Sequence, residues 1–234
     1  MTDSPTLPVS RHRLAFVREL PVLVLIAFGL ALIIKTFAVQ AFFIPSESME
    51  RTLHGCKGCS GDRVLVNKLV YDVRDIRRGE IVVFNGLDSW TPATSEKDFV
   101  KRVIGLPGDR VACCTDGHVT VQSRGSTQPV ELIERYVYQD DHRPFCAAGA
   151  GEAACPTGSP GLLVPPHRLW VMGDHRAYSS DSRAHITDGQ HGTIPVDSVI
   201  GRAFVIVWPF HRFRLLTVPS TFAGWTDTAG ANTG

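Results

Sequence analysis

Hydrophobic and polar positions divide the chain into an apolar N-terminal segment and a longer region of short apolar runs separated by turns. Residues 20–34 carry no charge, and beyond Lys35 the apolar character resumes through residue 44. A helix over residues 20–39 would rise ~30 Å at ~1.5 Å per residue, which matches a bilayer core if the Lys35 stem reaches the headgroups. We therefore predict a single transmembrane helix over residues 20–41, with a buried core helix as the alternative.

From residue 42 onward, β-branched and aromatic runs alternate with turn signals such as "RRGE", "LPGD" and "TDG". The runs predicted to form strands are "DRVLVNKLVY" at 62–71, "EIVVFN" at 80–85, "DFVKRVIG" at 98–105, "DRVACC", "HVTVQ", "HRLWVMGD" at 167–174 and "GRAFVIVW". They indicate a mainly β domain with a coiled sheet over residues 42–218. A Gly-, Pro- and Cys-rich stretch predicts an inserted loop or small subdomain at about 111–165. The Thr/Ala/Gly-rich tail, residues 219–234, is predicted to be disordered.

Positive charges near the apolar segment predict on which side of the membrane each part lies. Three arginines precede the segment, so the positive-inside rule places residues 1–19 in the cytoplasm and the β domain on the extracytoplasmic side of the cell membrane. The same pattern fits a cleavable signal peptide, and "VQA" at 39–41 has small side chains where a cleavage site needs them. Retention of the span is favoured, because residues 42–44 lead directly into the serine-containing stretch that follows.

Charge and cysteine content indicate which partners and which redox compartment to expect. The 24 basic and 23 acidic residues give a net charge of +1, so no strong field would attract nucleic acid. Six cysteines in an extracytoplasmic domain favour disulfides over free thiols. A bridge between Cys146 and Cys155 would close a Gly/Ala-rich loop. The adjacent Cys113 and Cys114 stay unassigned, because joining them to each other would make a strained ring.

The motif "HGCKGC" at 54–59 supports two interpretations. Cys56 and Cys59 are three residues apart and could form a local disulfide. With His54 they could instead ligate zinc, but the sequence offers no second ligand pair at metal-like spacing. We therefore predict no metal and no cofactor, and zinc remains the alternative for this motif.

The stretch "FFIPSESMERTL" at 42–53 places two serines beside a proline without a helical or strand period. A serine hydroxyl becomes a useful nucleophile only when a neighbouring base accepts its proton. Lys101 is one candidate, because "DFVKRVIG" surrounds it with apolar residues that would desolvate the ammonium and favour the neutral amine. Lys68 has a similar context, and a lysine exposed on a polar strand face is an equal alternative, so local sequence does not decide.

A histidine is the alternative base. The stretch "GDHRAYSSDSR" at 173–183 puts His175 near Asp174 and Asp181, so a Ser/His/Asp triad with Ser48 is also open. Metal-dependent hydrolysis is disfavoured, because no H-E-x-x-H motif occurs and the nine histidines are scattered singly.

Four motifs in a fixed order resemble those of the bacterial type I signal peptidases, membrane-anchored Ser/Lys proteases that remove signal peptides from exported preproteins. After the apolar segment come "IPSESM", "GDRVLV", "VKRVIGLPGD" and "MGDHRAYSSDSR". The similarity runs from about residue 20 to 210, with gaps at 111–165, and "HGCKGC" with a single span suggests an actinobacterial branch. The resemblance implies a serine endopeptidase that cleaves after a small-x-small site. Its implied partners are exported preproteins and membrane lipid, with the export translocon as a further candidate.

The resemblance also implies roles for individual residues. Ser48 would be the nucleophile, Lys101 its general base, and Ser46 with the Ser48 backbone N–H the oxyanion hole. Ser179 would orient the lysine. The positions that would buttress the site are Asp174, Asp181, Arg102 and Arg183. The residues that would line shallow apolar pockets for the substrate, each with core packing as the alternative, are Phe42, Ile44, Met49, Leu53, Phe99 and Val100.

The sequence departs from the family pattern at two places. Arg51 replaces a proline that is usual before "TL", and "GDHRAYS" stands where the family usually has "GDNRDNS". These changes affect the expected loop geometry and leave the Ser/Lys positions intact. Two rival functions are a LexA-like self-cleaving regulator, for whose DNA-binding domain residues 1–19 leave no room, and a non-enzymatic membrane-anchored β module.

Overall fold

The computed structural model describes residues 19–29, 38–87, 90, 98–145 and 161–225. Helix α1 covers 19–29, and its large apolar side chains are 49–69% exposed. Within the described ranges, no helix has both the length and the apolar character needed to cross a membrane. The predicted span includes residues 30–37, which lie outside the described residues.

The strands of the described ranges are β1 (Val39–Phe43), β2 (Arg63–Asn67), β3 (Ile81–Asn85), β4 (Asp98–Gly105), β5 (Arg110–Thr115), β6 (His118–Gln122), β7 (Val130–Glu131), β8 (Leu162–Leu163), β9 (Arg168–Met172), β10 (Ile194–Pro195), β11 (Val199–Trp208) and β12 (Arg214–Leu215). A large antiparallel sheet has the order β1-β2-β11-β3-β4-β9-β10, with β12 paired to β11. A smaller antiparallel sheet has the order β7-β6-β5-β8. The mainly β prediction is therefore confirmed.

Strand β3 shows how a continuous apolar run is used in the large sheet. Successive side chains point to opposite faces, so Ile81 and Val83 join one core cluster while Val82 and Phe84 join another. All four side chains are buried, because β11 and β4 flank the strand and both faces are covered. Register shifts in β11 mark bulges, which bend and twist a strand and fit the predicted coiled sheet.

The insert predicted at about 111–165 contains the smaller sheet, so it is a small subdomain within the described residues. Val111, Val119 and Leu162 of this sheet share a core cluster with Trp170 of β9. The shared cluster fixes the subdomain against the large sheet.

Four cysteines are paired in the structure. Cys56 is bonded to Cys59, and their Cα atoms are 5.5 Å apart. Cys113 and Cys114, which the sequence left unassigned, are bonded to each other. The bridge predicted between residues 146 and 155 lies outside the described residues.

Two predicted boundaries are wrong. The span was predicted to reach residue 41, but residues 39–41 belong to β1, because this segment pairs with β2 in an antiparallel ladder. The strand predicted at 62–71 ends at Asn67. There the Asn67 Oδ1 accepts hydrogen bonds from the N–H groups of Leu69 and Val70 at 3.0 and 3.1 Å, and helix α2 (Val70–Val73) follows.

The predicted disorder of the tail is wrong at its start. Ser220–Phe222 forms a 3-10 helix, and Phe222 is buried against the core cluster of the small subdomain because its ring fills space beside Gly79 and Tyr136. Residues 226–234 lie outside the described residues. The other 3-10 helices in the described ranges are Glu47–Met49, Arg176–Tyr178, Val196–Ser198 and Phe210–Arg212.

Candidate active site

The two serines of the predicted site lie in the connection between β1 and β2, called here the serine turn (residues 46–49). Glu47–Met49 forms a single 3-10 turn, in which Ser48 and Met49 are buried, whereas Ser46 is exposed. The hydroxyl oxygens of Ser46 and Ser48 are 3.3 Å apart. Pro45 precedes the turn and, with its fixed φ, restricts how the chain leaves β1. Because Met49 packs into the core, the position of the neighbouring hydroxyls is fixed.

Lys101 of β4 contacts Ser48. Its Nζ donates a hydrogen bond to the Ser48 Oγ at 2.7 Å, and the lysine is only 4% exposed. Strand β4 pairs with β3 opposite Lys101 and with β9 one residue further on, so the lysine backbone is held inside the sheet. Lys68 lies beyond the end of β2, where its N–H donates to the Ala38 carbonyl at 2.9 Å. Tertiary structure therefore distinguishes the two lysines that local sequence could not.

A buried ion pair supports the residues that follow the serine turn. The Arg102 Nε and Nη2 donate to the two Asp174 carboxylate oxygens at 2.8 and 2.6 Å, and both side chains are at most 2% exposed. The Thr52 hydroxyl donates to the Asp174 Oδ2 at 2.5 Å. Burial would lower the pKa of Arg102, but the Asp174 charge and hydrogen bonds outweigh burial and raise it. The pair thus anchors the loop through Thr52.

Asp181 and Arg183 form a second buried ion pair. The Arg183 Nε and Nη2 each donate to the Asp181 carboxylate at 2.9 Å, as does the Gly173 N–H. Burial would raise the pKa of Asp181, but Arg183 and the backbone N–H outweigh burial and hold that pKa below its ordinary value. The Ser179 hydroxyl is near enough to Asp181 to favour its ionised form and so to lower its pKa. It makes no hydrogen bond of regular geometry with any described residue. Its role in orienting Lys101 stays a prediction.

Gly173, which sequence reasoning did not single out, connects this pair to the nucleophile. A Cβ at this position would collide with the Ser48 carbonyl oxygen and the Ser179 hydroxyl. The next contact along the chain is a hydrogen bond from the His175 N–H to the same Ser48 carbonyl at 3.1 Å. Thr52 was also missed, because its contact with a residue 122 positions away leaves no local signal. For Gly173 the available signal was its place between an apolar strand and a charged loop.

His175 does not form the alternative triad. Its Nδ1 is 3.1 Å from the Glu47 carbonyl oxygen, and its Nε2 is 2.8 Å from the Gln139 Oε1. Both ring nitrogens therefore engage groups other than the Ser48 hydroxyl. The Asp174 carboxylate is likewise engaged by the buried ion pair. The geometry favours the lysine over the histidine as the base.

The apolar residues predicted to contact substrate divide by burial. Those at most 2% exposed, in one core cluster, are Ile44, Met49 and Leu53. Those partly buried at the edge of a core cluster are Phe42, Phe99 and Val100. Core packing is thus observed for the first group, and substrate contact stays a prediction for both.

The structure adds one histidine that the sequence analysis did not name and describes the possible ligand group that it named as an alternative. The His185 ring stacks on Trp90 with centroids 4.5 Å apart, and burial lowers the pKa of His185 despite the opposing charge of Asp188. Among the described residues, the group that could hold a metal is the "HGCKGC" motif, whose three ligand atoms lie within 4.8 Å of one another.

Comparisons with known proteins show which family this sequence resembles. Residues 17–208 match the family described as signal peptidase, peptidase S26. The chain is 36% identical over 245 residues to "Signal peptidase I" of Mycobacterium tuberculosis, an alignment that covers 92% of this chain and 79% of the relative. It is 38% identical over 189 residues to "Probable signal peptidase I-2" of Synechocystis, with 80% and 72% covered.

A crystal structure of a signal peptidase I from Enterococcus faecalis is also similar, at 25% identity and a TM-score of 0.36 over 56% of this chain and 97% of that chain. The fold described above rests on the strand pairing of this chain itself. The mycobacterial relative agrees with the actinobacterial branch that the sequence suggests. The match of the family over residues 17–208, together with the 36% identity to the mycobacterial relative, shows that this protein belongs to the signal peptidase family, peptidase S26.

Proposed function

We propose that this protein removes signal peptides from exported preproteins, with Ser48 as the nucleophile and Lys101 as its general base. The observation that carries the assignment is the 2.7 Å contact between the Lys101 Nζ and the Ser48 Oγ. Family membership supplies the reaction class, a serine peptidase that acts on signal peptides. The distance is short enough for direct proton transfer between the two groups.

Lys101 acts as a base in its neutral form. Burial disfavours a charged ammonium relative to a neutral amine, and the lysine is almost fully buried. When the amine is neutral, the Ser48 hydroxyl donates along the same 2.7 Å contact and loses its proton to the Nζ during attack. No metal or further cofactor is needed for this transfer.

The reaction has two covalent stages. First, the Ser48 Oγ bonds to the scissile carbonyl carbon, its proton moves to Lys101, and the same proton passes to the leaving amine as the peptide C–N bond breaks. The mature protein leaves with a free N-terminus. Next, Lys101 takes a proton from a water that attacks the acyl-enzyme, the bond between the Ser48 Oγ and the acyl carbon breaks, and Lys101 returns the proton to the Ser48 Oγ. The released signal peptide ends in a carboxylate.

Ser46 and the Ser48 backbone N–H form the proposed oxyanion hole. Negative charge develops on the carbonyl oxygen when Ser48 attacks, and hydrogen-bond donors placed in advance stabilise it. The exposed Ser46 hydroxyl lies 3.3 Å from the Ser48 Oγ, which supports a position beside the reacting carbonyl. The hydrogen bond from His175 to the Ser48 carbonyl fixes the orientation of the same turn.

The surrounding residues are proposed to hold the pair and to accept small side chains. The ion pairs of Asp174 and Asp181 restrict the segment after β9, which packs along the serine turn. Ser179 is proposed to orient the lysine, because its hydroxyl is buried beside Gly173 and has no regular partner among the described residues. The six apolar residues near the turn would form pockets too shallow for large side chains.

Attachment to the membrane is proposed through the apolar N-terminal segment. The apolar side chains of α1 are exposed, as in a helix surrounded by lipid. Strand β1 begins only a few residues before the serine turn, so a span that ends near it would hold the site close to the bilayer surface. The arginines before the segment support a cytoplasmic N-terminus and an extracytoplasmic peptidase domain.

The test is cleavage of a purified preprotein by the full-length protein in detergent. Ser48→Ala and Lys101→Ala should each lower the cleavage rate by ~10²- to 10⁴-fold or more, because the nucleophile or its proton acceptor is missing. Lys68→Ala is the matched control, since it removes a partly buried lysine in a similar sequence context. Turnover by Lys101→Ala at the rate of the Lys68→Ala control would contradict the assignment.

A further inference from the structure

The motif "HGCKGC" forms a cluster that the peptidase chemistry does not use. The possible ligand atoms of His54, Cys56 and Cys59 all lie within 4.8 Å of one another, and the three residues are partly buried. We propose that this cluster binds one Zn²⁺ when Cys56 and Cys59 are thiols. The proposal goes beyond signal-peptide cleavage and is independent of it.

The spacing of the histidine and the second cysteine fits a tetrahedral zinc ion. Zinc–sulfur bonds of ~2.3 Å and zinc–nitrogen bonds of ~2.0–2.1 Å place the two ligand atoms about 3.6 Å apart in a tetrahedron. The Cys59 Sγ is 3.8 Å from the His54 Nε2. These two atoms therefore already have the separation that a shared zinc ion requires.

The chain between the cysteines forms a tight turn. The Cys59 N–H donates to the Cys56 carbonyl at 3.4 Å, and Gly58 adopts a φ of +86°, which a residue with a side chain rarely adopts. The turn presents both sulfurs to the same side. A pair of cysteines separated by two residues is the usual spacing for two ligands of a zinc site.

Glu50 supplies a second observation that favours a metal. Its Oε1 lies 2.6 Å from the His54 Nδ1 and also accepts the Gly55 N–H at 3.1 Å. A carboxylate beside Nδ1 selects the tautomer with the proton on that nitrogen, which leaves the Nε2 lone pair free near the Cys59 sulfur. Histidines that bind metals commonly have their other nitrogen held by a carboxylate in this way.

The disulfide and the metal compete for the same sulfurs. The phosphine used in the test opens the Cys56–Cys59 bond by giving two electrons; water supplies the two protons of the new thiols and the oxygen of the phosphine oxide. Zn²⁺ then displaces both thiol protons and binds two thiolates and neutral His54, so the site carries no net charge. Water completes the tetrahedron. An oxidising compartment favours the disulfide, so zinc binding belongs to the reduced protein.

The cluster is accessible to an ion from solvent. It borders a cavity of about 390 Å³. Glu47 of the serine turn and His175 line the same cavity, together with His54 and Cys56. A bound ion would therefore tie down the loop that follows the serine turn.

The test uses the full-length protein in detergent, reduced with tris(carboxyethyl)phosphine under anaerobic conditions and then given Zn²⁺ or Co²⁺. We expect about one zinc ion per chain after desalting, and a thiolate-to-cobalt charge-transfer absorption with Co²⁺. Both signals should be lost in His54→Ala and in the double variant Cys56→Ser/Cys59→Ser. The matched control, Cys113→Ser/Cys114→Ser, should retain them. Glu50→Gln should bind ~10- to 100-fold more weakly.

Four outcomes would overturn the proposal, three of which concern the metal itself. They are reduced wild-type protein that retains no metal, equal metal retention by the Cys56→Ser/Cys59→Ser variant, and zinc held by protein whose disulfide is intact. A disulfide that resists the phosphine, shown by thiol counting, would also overturn it. Preprotein cleavage measured on the same samples keeps the result separate from the peptidase assignment, because metal binding and cleavage can fail independently.

Discussion

Removing the charge of Asp174 should destabilise the domain through Arg102. Asn has nearly the shape of Asp, so Asp174→Asn removes the anion and leaves a buried guanidinium that is 2% exposed. Loss of one partner of a buried ion pair costs about 3–5 kcal/mol, because the other charge remains away from water. The Glu134 carboxylate also acts on Arg102, so we expect the lower end of this range. A loss of about 3 kcal/mol corresponds to a fall in Tm of about 6–12 °C for a domain of this size.

Thermal unfolding of the detergent-solubilised protein, followed by circular dichroism, measures this loss. The control is Arg143→Met, which breaks the pair of Arg143 and Asp141 at 3.5 Å, where the arginine is 52% exposed. An exposed pair contributes only about 0–1 kcal/mol, so this variant should unfold near the wild-type temperature. The double variant Arg102→Met/Asp174→Leu removes both buried charges and should recover much of the loss.

Asp174→Asn should also slow cleavage. The Thr52 hydroxyl would lose its charged acceptor in Asp174→Asn, so the loop after the serine turn should be held less firmly. Turnover should therefore be lower than in the wild type even at temperatures at which the variant is still folded. An Asp174→Asn variant that unfolds at the temperature of the Arg143→Met control would refute a cost from the unpaired Arg102 charge. Such a cost is also refuted if the double variant is less stable than the single variant, since the loss would then come from lost contacts and not from an unpaired charge.

Other expected outcomes concern the oxyanion hole, His175, stability at acidic pH and the apolar N-terminal segment. Ser46→Ala should lower kcat by ~10²- to 10³-fold with a much smaller change in KM, whereas Ser46→Thr keeps the hydroxyl and should recover most activity; equal rates for both would leave Ser46 an ordinary loop serine. His175→Asn should stay active, and a loss as large as that of Ser48→Ala would restore the histidine triad. The pKa of Asp181 is lower in the folded protein than in the unfolded chain, so Asp181 stabilises the fold above its unfolded pKa of ~3.9, and this stabilisation is lost as the pH falls through the folded pKa. Asp181→Asn should weaken the dependence of the unfolding free energy on acidic pH, measured by unfolding at a series of pH values. N-terminal sequencing of membrane-extracted protein should find the apolar segment retained, and a mature chain beginning at Phe42 would contradict this.

Most strands could be predicted from local sequence patterns, because strand formation depends on short-range features. β-branched runs bounded by Gly, Pro and charged turns predicted β4 at the bounds the structure gives, Asp98–Gly105. The ordered motifs likewise led to the signal peptidases. The predicted boundaries were wrong where a hydrogen bond or a distant contact sets them. The Asn67 side chain accepts the Val70 N–H and ends β2, and packing of Phe222 in a core cluster orders the start of the tail.

Which distant side chains contact one another follows from the three-dimensional fold. Lys68 and Lys101 have similar neighbours along the chain, but Lys101 reaches Ser48 across 53 residues because β4 lies in the middle of the large sheet. His175 has suitable acidic neighbours in sequence, yet its ring nitrogens engage groups other than the Ser48 hydroxyl. Gly173 lies between an apolar strand and a charged loop, but this position in the sequence does not show that it contacts the Ser48 carbonyl oxygen. These contacts depend on strand register and side-chain direction, which are set by long-range pairing and core packing and not by the residues next in the chain.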